Sequence, residues 1–358
     1  QAMKKIRIGD RNVGDGESLY FIADIAANHD GDLNRAFKLI ERAKDAGADA
    51  AKFQNFQASK IVSRYGFESL GGAKSHQSSW GKSVFDVYKD ASLPFAWTEK
   101  LKAKCDEVGI EYFTSPYDFE SVDCVDPYVN VYKIGSGDIT WVEIIEYIAK
   151  KGKPVMIATG ASTMKDVVRA MNVLESINDD IILMQCNTNY TVNVNNFKCT
   201  NLNVLKTYKR RFPNAILGLS DHTQGHSTVL GAIALGACVF EKHFTDDNDR
   251  VGPDHKFAMN PDNWKKMVVC SNELYNSLGN GIKVIEENET ETVVLQRRAL
   301  RFIRNLPKGH VLNKSDLFPL RPIPLNGIPP YTINDFTGKK LKHDVKMDNY
   351  LRKEDVEL

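Results

Sequence analysis

No stretch of the sequence comes near the ~18 uninterrupted apolar residues that a membrane-spanning helix requires, and the opening QAMKKIRIGD does not have the profile of a signal peptide. Charge of one sign is missing too. The chain carries 47 Lys and Arg against 46 Asp and Glu, a formal net charge of +1. That leaves no electrostatic footprint for nucleic acid or an anionic bilayer. Cysteine is sparse: Cys105, Cys124, Cys186, Cys199, Cys238 and Cys270 show no CxxC spacing, and several stand inside apolar runs. Such usage predicts reduced core thiols in a cytoplasmic protein, and it argues against a disulfide framework or a thiolate zinc site. No GxGxxG follows the first β-rich run, so the dinucleotide fingerprint of a doubly wound sheet is absent.

What is present is a repeated unit. In 358 residues, 42% hydrophobic and 26% charged, a short β-rich run ends in polar or glycine residues and an amphipathic helical pattern follows. The runs are Ser18–Ile25, Ala48–Phe53, Ile110–Phe113, Val129–Ile134, Pro154–Ala158, Ile181–Gln185, Ala215–Leu219 and Ala237–Phe240. Eight of them, at about one per 30 residues, predict an α/β chain folded as a (β/α)8 TIM barrel, with a doubly wound open sheet as the alternative. Helical patterns are expected over Leu33–Ala46, Ala96–Val108, Ser227–Gly236 and Pro261–Leu278, with Ser162 as the cap of the helix after the fifth run. Residues 55–92 break the rhythm, and an interruption of that size in a compact fold is usually functional. The pattern places the barrel at 1–281, an acidic linker at 282–294, and a small domain of mostly β or irregular structure at 295–358.

A barrel gathers its chemistry at the C-terminal ends of its strands. Asp24 and Asn28, Lys52 and Gln54, Ser115, Lys133 and Ser136, Thr188 and Tyr190, Ser220 and His222, and Glu241 and His243 then share one mouth. Lys52 and Lys133 sit in apolar runs, where a cation is costly unless an anion meets it. Flanked by serines, the two form an anion cradle. His222 and His243 end neighbouring runs, and two neutral imidazoles suit a divalent transition metal or zinc. After His243 the polar segment Thr245–Arg250 and then Val251-Gly252-Pro253-Asp254-His255 read as a loop over the mouth, with Asp254 a candidate contact for a polyhydroxylated substrate.

In order, FIADIAANHDGD, KFQ, FTSPYD, YKIGSGD, ATG, GLSDHT, ALGACVFEKHFT and RVGPDH resemble the sialic acid synthase (N-acetylneuraminate or nonulosonate synthase) family. The tail, with RRALRFIRNLPKGHVL, LRP, GIPP and GKKLKHDV, resembles that family's C-terminal antifreeze-like (SAF) domain, which is similar to type III antifreeze protein. The resemblance implies condensation of phosphoenolpyruvate with an acylated aminosugar to a nine-carbon 2-keto-3-deoxy acid and phosphate. It also implies a divalent metal, Mn2+ first with Mg2+ or Co2+ as alternatives, and a homodimer whose C-terminal domains are exchanged over the barrel mouths.

Carried over by position, His222 and His243 match the metal ligands, and Lys52, Ser115, Lys133, Ser136, Thr188 and Ser220 match positions at phosphoenolpyruvate. Gln54, Tyr190 and Asp254 match positions at the sugar, and Arg321 matches an arginine that reaches its acyl group. Asp24 is the expected general base or water-orienting carboxylate, acting with His222, His243 and Lys133, while Glu241 is expected to orient a ligand, either from behind it or from the barrel interior. Asp24 and Asp138 stand where the family usually has glutamate. N-acetylmannosamine is the expected sugar; the alternatives are a 2,4-diacetamido-trideoxy hexose (legionaminic or pseudaminic acid synthesis) or a shorter-chain keto-deoxy acid synthase. A catalytically inactive carbohydrate-binding protein is the reading from a different class.

Overall fold

The computed structural model describes residues 3–70, 82–190 and 192–358, in two units, Gln1–Leu278 and Gly279–Leu358. In the first, the hairpin β1 (Lys5–Ile8) and β2 (Arg11–Gly14) buries Ile6, Ile8 and Val13 in the main core. Eight parallel strands then close into a barrel: β3 (Tyr20–Asp24), β4 (Ala50–Asn55), β5 (Glu111–Pro116), β6 (Tyr132–Ile134), β7 (Val155–Ala158), β8 (Ile181–Cys186), β9 (Ile216–Asp221) and β10 (Val239–His243). β10 pairs with β3 to complete the circle, which sets aside the open-sheet alternative. Parallel strands covered on both faces read as continuous apolar runs, and β3, β8, β9 and β10 are buried along their whole lengths.

Several strands continue past the apolar run into polar residues. Gln54 and Asn55 on β4, Ser115 on β5, Asp221 on β9 and His243 on β10 all lie within the ladder. Hydrophobic patterning ends where the barrel turns into its mouth, whereas backbone pairing does not.

The helix Leu33–Asp45 starts at Asp32, whose carboxylate accepts from the Asn34 and Arg35 N–H groups. The expected cap at Ser162 is corrected to Thr163. Thr163 forms a reciprocal capping box with Asp166 for the helix Met164–Glu175, while the Ser162 hydroxyl donates to the Gly160 carbonyl at 2.8 Å. The stretch 55–92 carries the helices Ala58–Ile61, Arg64–Ser69 and Val84–Ala91, with residues 71–81 outside those described. Cys105, Cys186 and Cys238 are buried, but Cys199 is exposed, so core burial does not extend to all six free thiols. Among the described residues no helix is long and apolar enough to cross a membrane.

The second unit has its own core of Leu300, Phe302, Leu306, Leu312, Leu317, Ile328, Leu341, Val345, Leu351 and Val356. Its one two-stranded sheet joins β11 (Ala299–Phe302) to β12 (Leu317–Leu320) in antiparallel register, and most of the remainder is turns and isolated bridges. The acidic segment expected as a linker is partly helical, at Glu287–Glu289 and Thr290–Gln296.

Candidate active site

Side chains alternate along a strand. On β10, Glu241 and His243 therefore face the barrel interior, and the intervening Lys242 points out. The interior pair joins a cavity of 570 Å³ at the C-terminal ends of the strands. Asp24, Lys52, Gln54, Lys133, Ser136, Thr188, Tyr190, Ser220, His222, Glu241 and His243, all expected at the mouth, line it together with Asp138. Ser115 stands behind the wall and accepts a hydrogen bond from Lys52 at 3.3 Å. Asn28 turns away, its amide donating to the Phe244 carbonyl at 2.8 Å. Asp254 accepts from the Ala27 N–H at 3.2 Å, and Arg321 belongs to the C-terminal unit.

The floor of the cavity is an ionic chain. Glu241 Oε1 lies 3.1 Å from Lys133 Nζ and accepts from the Ser220 hydroxyl at 3.0 Å, while Oε2 lies 3.1 Å from Lys52 Nζ. Lys52 Nζ is also 3.3 Å from Asp24 Oδ2, which is in turn 3.4 Å from His243 Nε2. Two buried cations are thus matched by two buried carboxylates, as the cost of burying charge demands. Burial raises the Glu241 carboxyl, but Lys133 and Lys52 outweigh it and hold the group well below the usual carboxylate range. For Asp24, burial dominates over Lys52 and pushes its pKa up. The two ammoniums also differ: burial pulls Lys133 down, whereas Asp24 and Glu241 more than offset burial at Lys52 and raise it. Glu241 therefore balances the lysine charge as an ionised carboxylate, while burial makes Asp24 the weaker acid of the two.

Of the two positions expected for Glu241, the structure shows the barrel interior, where the carboxylate bridges the two lysines. Alternation in Phe240-Glu241-Lys242-His243 was the available signal, because residues two apart on a strand share a face.

His222 lies just past the end of β9. Its Nδ1 is 2.9 Å from the Asn187 carbonyl, which can only accept, so Nδ1 carries the proton and Nε2 the lone pair. Burial, helped by neighbouring His243, lowers the ring to about 4 and keeps it neutral at physiological pH. The two imidazole centroids are 5.3 Å apart, with Tyr190 packed against His222 at 4.3 Å and Phe257 against His243 at 4.8 Å. A neutral imidazole oriented by a backbone carbonyl is the usual form of a metal-binding histidine, so the residues fit a divalent ion. Among the described residues no group of three or more His, Cys, Asp or Glu is placed to hold a metal ion, so the two histidines stand without a third such ligand.

Gly160 shows how tightly the wall beside Ser136 is built: a Cβ there would fall 2.1 Å from Thr188 Cγ2. Its N–H donates to the Ser136 hydroxyl at 2.8 Å. Opposite, Ile61, Val62, Phe67, Tyr88 and Tyr117 form an apolar and aromatic side of the cavity. Ile61, Val62, Phe67 and Tyr88 come from the stretch 55–92, where the helical spacing Val84, Val87, Tyr88, Ala91 was the available signal for the last of them. Phe53 faces away and packs on Tyr112, whereas Phe56 backs Tyr88 and Tyr117.

The NeuB family model matches residues 39–283, and the SAF domain model matches residues 297–357. An uncharacterised protein of Methanocaldococcus jannaschii is 34% identical over 356 residues, covering 99% of each chain. The N,N'-diacetyllegionaminic acid synthase of Campylobacter jejuni is 32% identical over 335 residues, 92% of this chain and 98% of its own. The crystal structure of N-acetylneuraminic acid synthetase from Leptospira borgpetersenii superposes with a TM-score of 0.71 at 26% identity, covering 82% of this chain and 96% of that one.

Proposed function

The chain belongs to the NeuB family, and from that premise we propose that it condenses phosphoenolpyruvate with an acylated aminosugar, forming a nonulosonate and phosphate. The observation that carries the reading is the pair of buried lysines, Lys52 and Lys133, joined by Glu241 at the cavity floor. Phosphoenolpyruvate brings two anionic groups, and the lysines with Ser136, Thr188 and Ser220 supply donors for both, while Ser115 braces Lys52 from behind. C3 of phosphoenolpyruvate attacks the aldehyde carbon. Water adds at C2, giving up its proton to Asp24 as general base. The C2–O bond to phosphate then breaks as the new C2 hydroxyl loses its proton, leaving the 2-keto group. Of the two protons released from water, one ends on the former aldehyde oxygen, now a hydroxyl, and the other leaves with phosphate or to solvent. His222 and His243 would hold a divalent ion, Mn2+ by preference with Mg2+ or Co2+ as alternatives, which when bound supplies Lewis-acid polarisation at the aldehyde oxygen.

For the sugar, Gln54 and Asp254 favour the hydroxyl-rich N-acetylmannosamine. The apolar side made by Ile61, Val62 and Phe67 favours a 2,4-diacetamido-trideoxy hexose, whose deoxy end is a methyl group. The likeness to a legionaminic acid synthase points the same way, and the diacetamido sugar is the preferred reading. Its test is kcat/KM for both sugars at saturating phosphoenolpyruvate: at least a tenfold preference for the diacetamido sugar is expected, and the reverse preference restores N-acetylmannosamine.

A homodimer with exchanged C-terminal domains completes the proposal, with no nucleic acid or membrane partner. Exposed apolar residues in the segments that follow barrel strands, Tyr65, Val194, Phe197 and Val251, support it, as do Phe318, Leu320, Leu325 and Tyr331 on the C-terminal unit. Arg321→Ala is expected to raise the sugar KM with kcat little changed, because the arginine meets the acyl group and not the reacting atoms. A fall in kcat at unchanged KM contradicts that placement.

The pH profile follows from Asp254. Burial pushes its carboxyl up to about 6, so it is ionised above that pH and protonated below. With Asp254 accepting sugar hydroxyls, kcat/KM for the sugar falls as pH drops through about 6, and Asp254→Asn flattens this limb. Asp138, also raised to about 6 by burial, is the comparison: an acid limb that persists in Asp254→Asn and vanishes in Asp138→Asn reassigns it. The stability effect has the opposite sign. A raised folded-state pKa favours the protonated fold, so both groups add stability as pH falls from above 6 toward the unfolded value near ~3.9.

A further inference from the structure

We propose that Lys242 is a positioning residue that sets the placement of His222 relative to His243, an inference that rests on the two histidines being the metal pair. Lys242 points out of the barrel, yet it is only 1% exposed. All three of its donors are used: Asp221 Oδ2 at 2.8 Å, the Thr223 carbonyl at 2.8 Å and the Gly225 carbonyl. Asp221 Oδ2 also accepts from the hydroxyls of Thr223 at 2.6 Å and Thr228 at 2.8 Å. These contacts converge on the residues immediately before and after His222, from a side chain immediately before His243.

The need for such a clamp lies in the ladder. Lys242 opposite Asp221 is the last paired position between β9 and β10, so His222 is the first residue no longer held by strand pairing. Its ring is hydrogen-bonded to the Asn187 carbonyl and packed by Tyr190, both from the β8 side, so the contacts tying it toward β10 come through its backbone neighbours. A fully satisfied ion pair in this position adds little net stability over an apolar pair of similar volume. Its effect is therefore on geometry: it ties the loop after β9 to the strand that carries the second histidine.

The clamp is tested on the full chain. Lys242→Met alone strands the Asp221 carboxylate and risks misfolding, so the main variant is Asp221→Asn/Lys242→Met, with Thr228→Val as a milder one that keeps the ion pair. Two readouts are taken on metal-free protein. Carbon-13 imidazole spectra report the His222 tautomer, with signals assigned from His222→Gln and His243→Gln. Titration with Mn2+, followed by the paramagnetic resonance of the free ion, reports affinity. The double variant is expected to lose the single Nδ1–H signature of His222 and to bind Mn2+ about 10- to 100-fold more weakly, with unchanged circular dichroism; Thr228→Val shows the same changes to a smaller degree. A folded double variant with wild-type tautomer signals and Mn2+ affinity overturns the proposal. If the double variant does not fold, unchanged spectra and affinity in Thr228→Val overturn it instead. Failure of the wild-type chain to bind Mn2+ removes the metal reading, while the tautomer signals still decide the clamp.

Discussion

Replacing His222 or His243 with alanine is expected to abolish turnover while circular dichroism and melting stay close to wild type, and stripping divalent metal from the wild-type chain is expected to have the same effect until Mn2+ is returned. Both rings stand at strand ends in the cavity lining and not in the packed core. Their removal therefore costs chemistry more than stability. The expected loss is several orders of magnitude, because a Lewis acid acts on charge that develops only in the transition state. Full activity in a chelator-treated, metal-free preparation removes the metal from the account and leaves the histidines as hydrogen-bonding groups.

The second large effect is expected at the lysine pair. Lys133→Met lowers kcat/KM for phosphoenolpyruvate by roughly 10²–10³-fold, the scale of losing one preorganised charged contact in a buried site. Glu241→Gln separates binding from stability. It leaves Lys52 and Lys133 facing each other without their shared counter-ion, and breaking such a buried arrangement costs about 3–5 kcal/mol. The variant's melting temperature should fall, and phosphoenolpyruvate should raise it by more than it raises that of wild type, because the ligand restores negative charge between the lysines. An equal ligand-induced shift in the two proteins means that phosphoenolpyruvate does not sit at this pair.

The barrel was legible because parallel strands buried on both faces must be written as apolar runs, and each run here stops at a polar end. The same signal misplaced the strand ends, since Gln54, Ser115 and His243 are paired in the ladder although they are polar. Convergence of the mouth residues followed from topology alone. The partners within the mouth did not, because they depend on how far each side chain reaches across the barrel. Glu241 is the example: sequence spacing places it beside His243, but only the closed circle brings Lys52 and Lys133 to its two oxygens. The aromatic side was equally hidden: Phe67 and Tyr88 arrive on short helices, and the period Val84, Val87, Tyr88, Ala91 marks a helix without saying that it reaches the mouth. Ser162 was mistaken for the cap although Thr163-x-x-Asp166 carries the stronger capping-box spacing.

The most direct test of the central claim follows the bridging oxygen of phosphoenolpyruvate. With that atom labelled with oxygen-18 and either aminosugar supplied together with Mn2+, released phosphate and sugar product are weighed by mass spectrometry. The account predicts phosphate release only when the sugar is present, label retained in the phosphate because the C2–O bond breaks, and one nine-carbon 2-keto-3-deoxy acid formed per phosphate. Phosphate released equally fast without any sugar, or label found in the sugar acid, contradicts it.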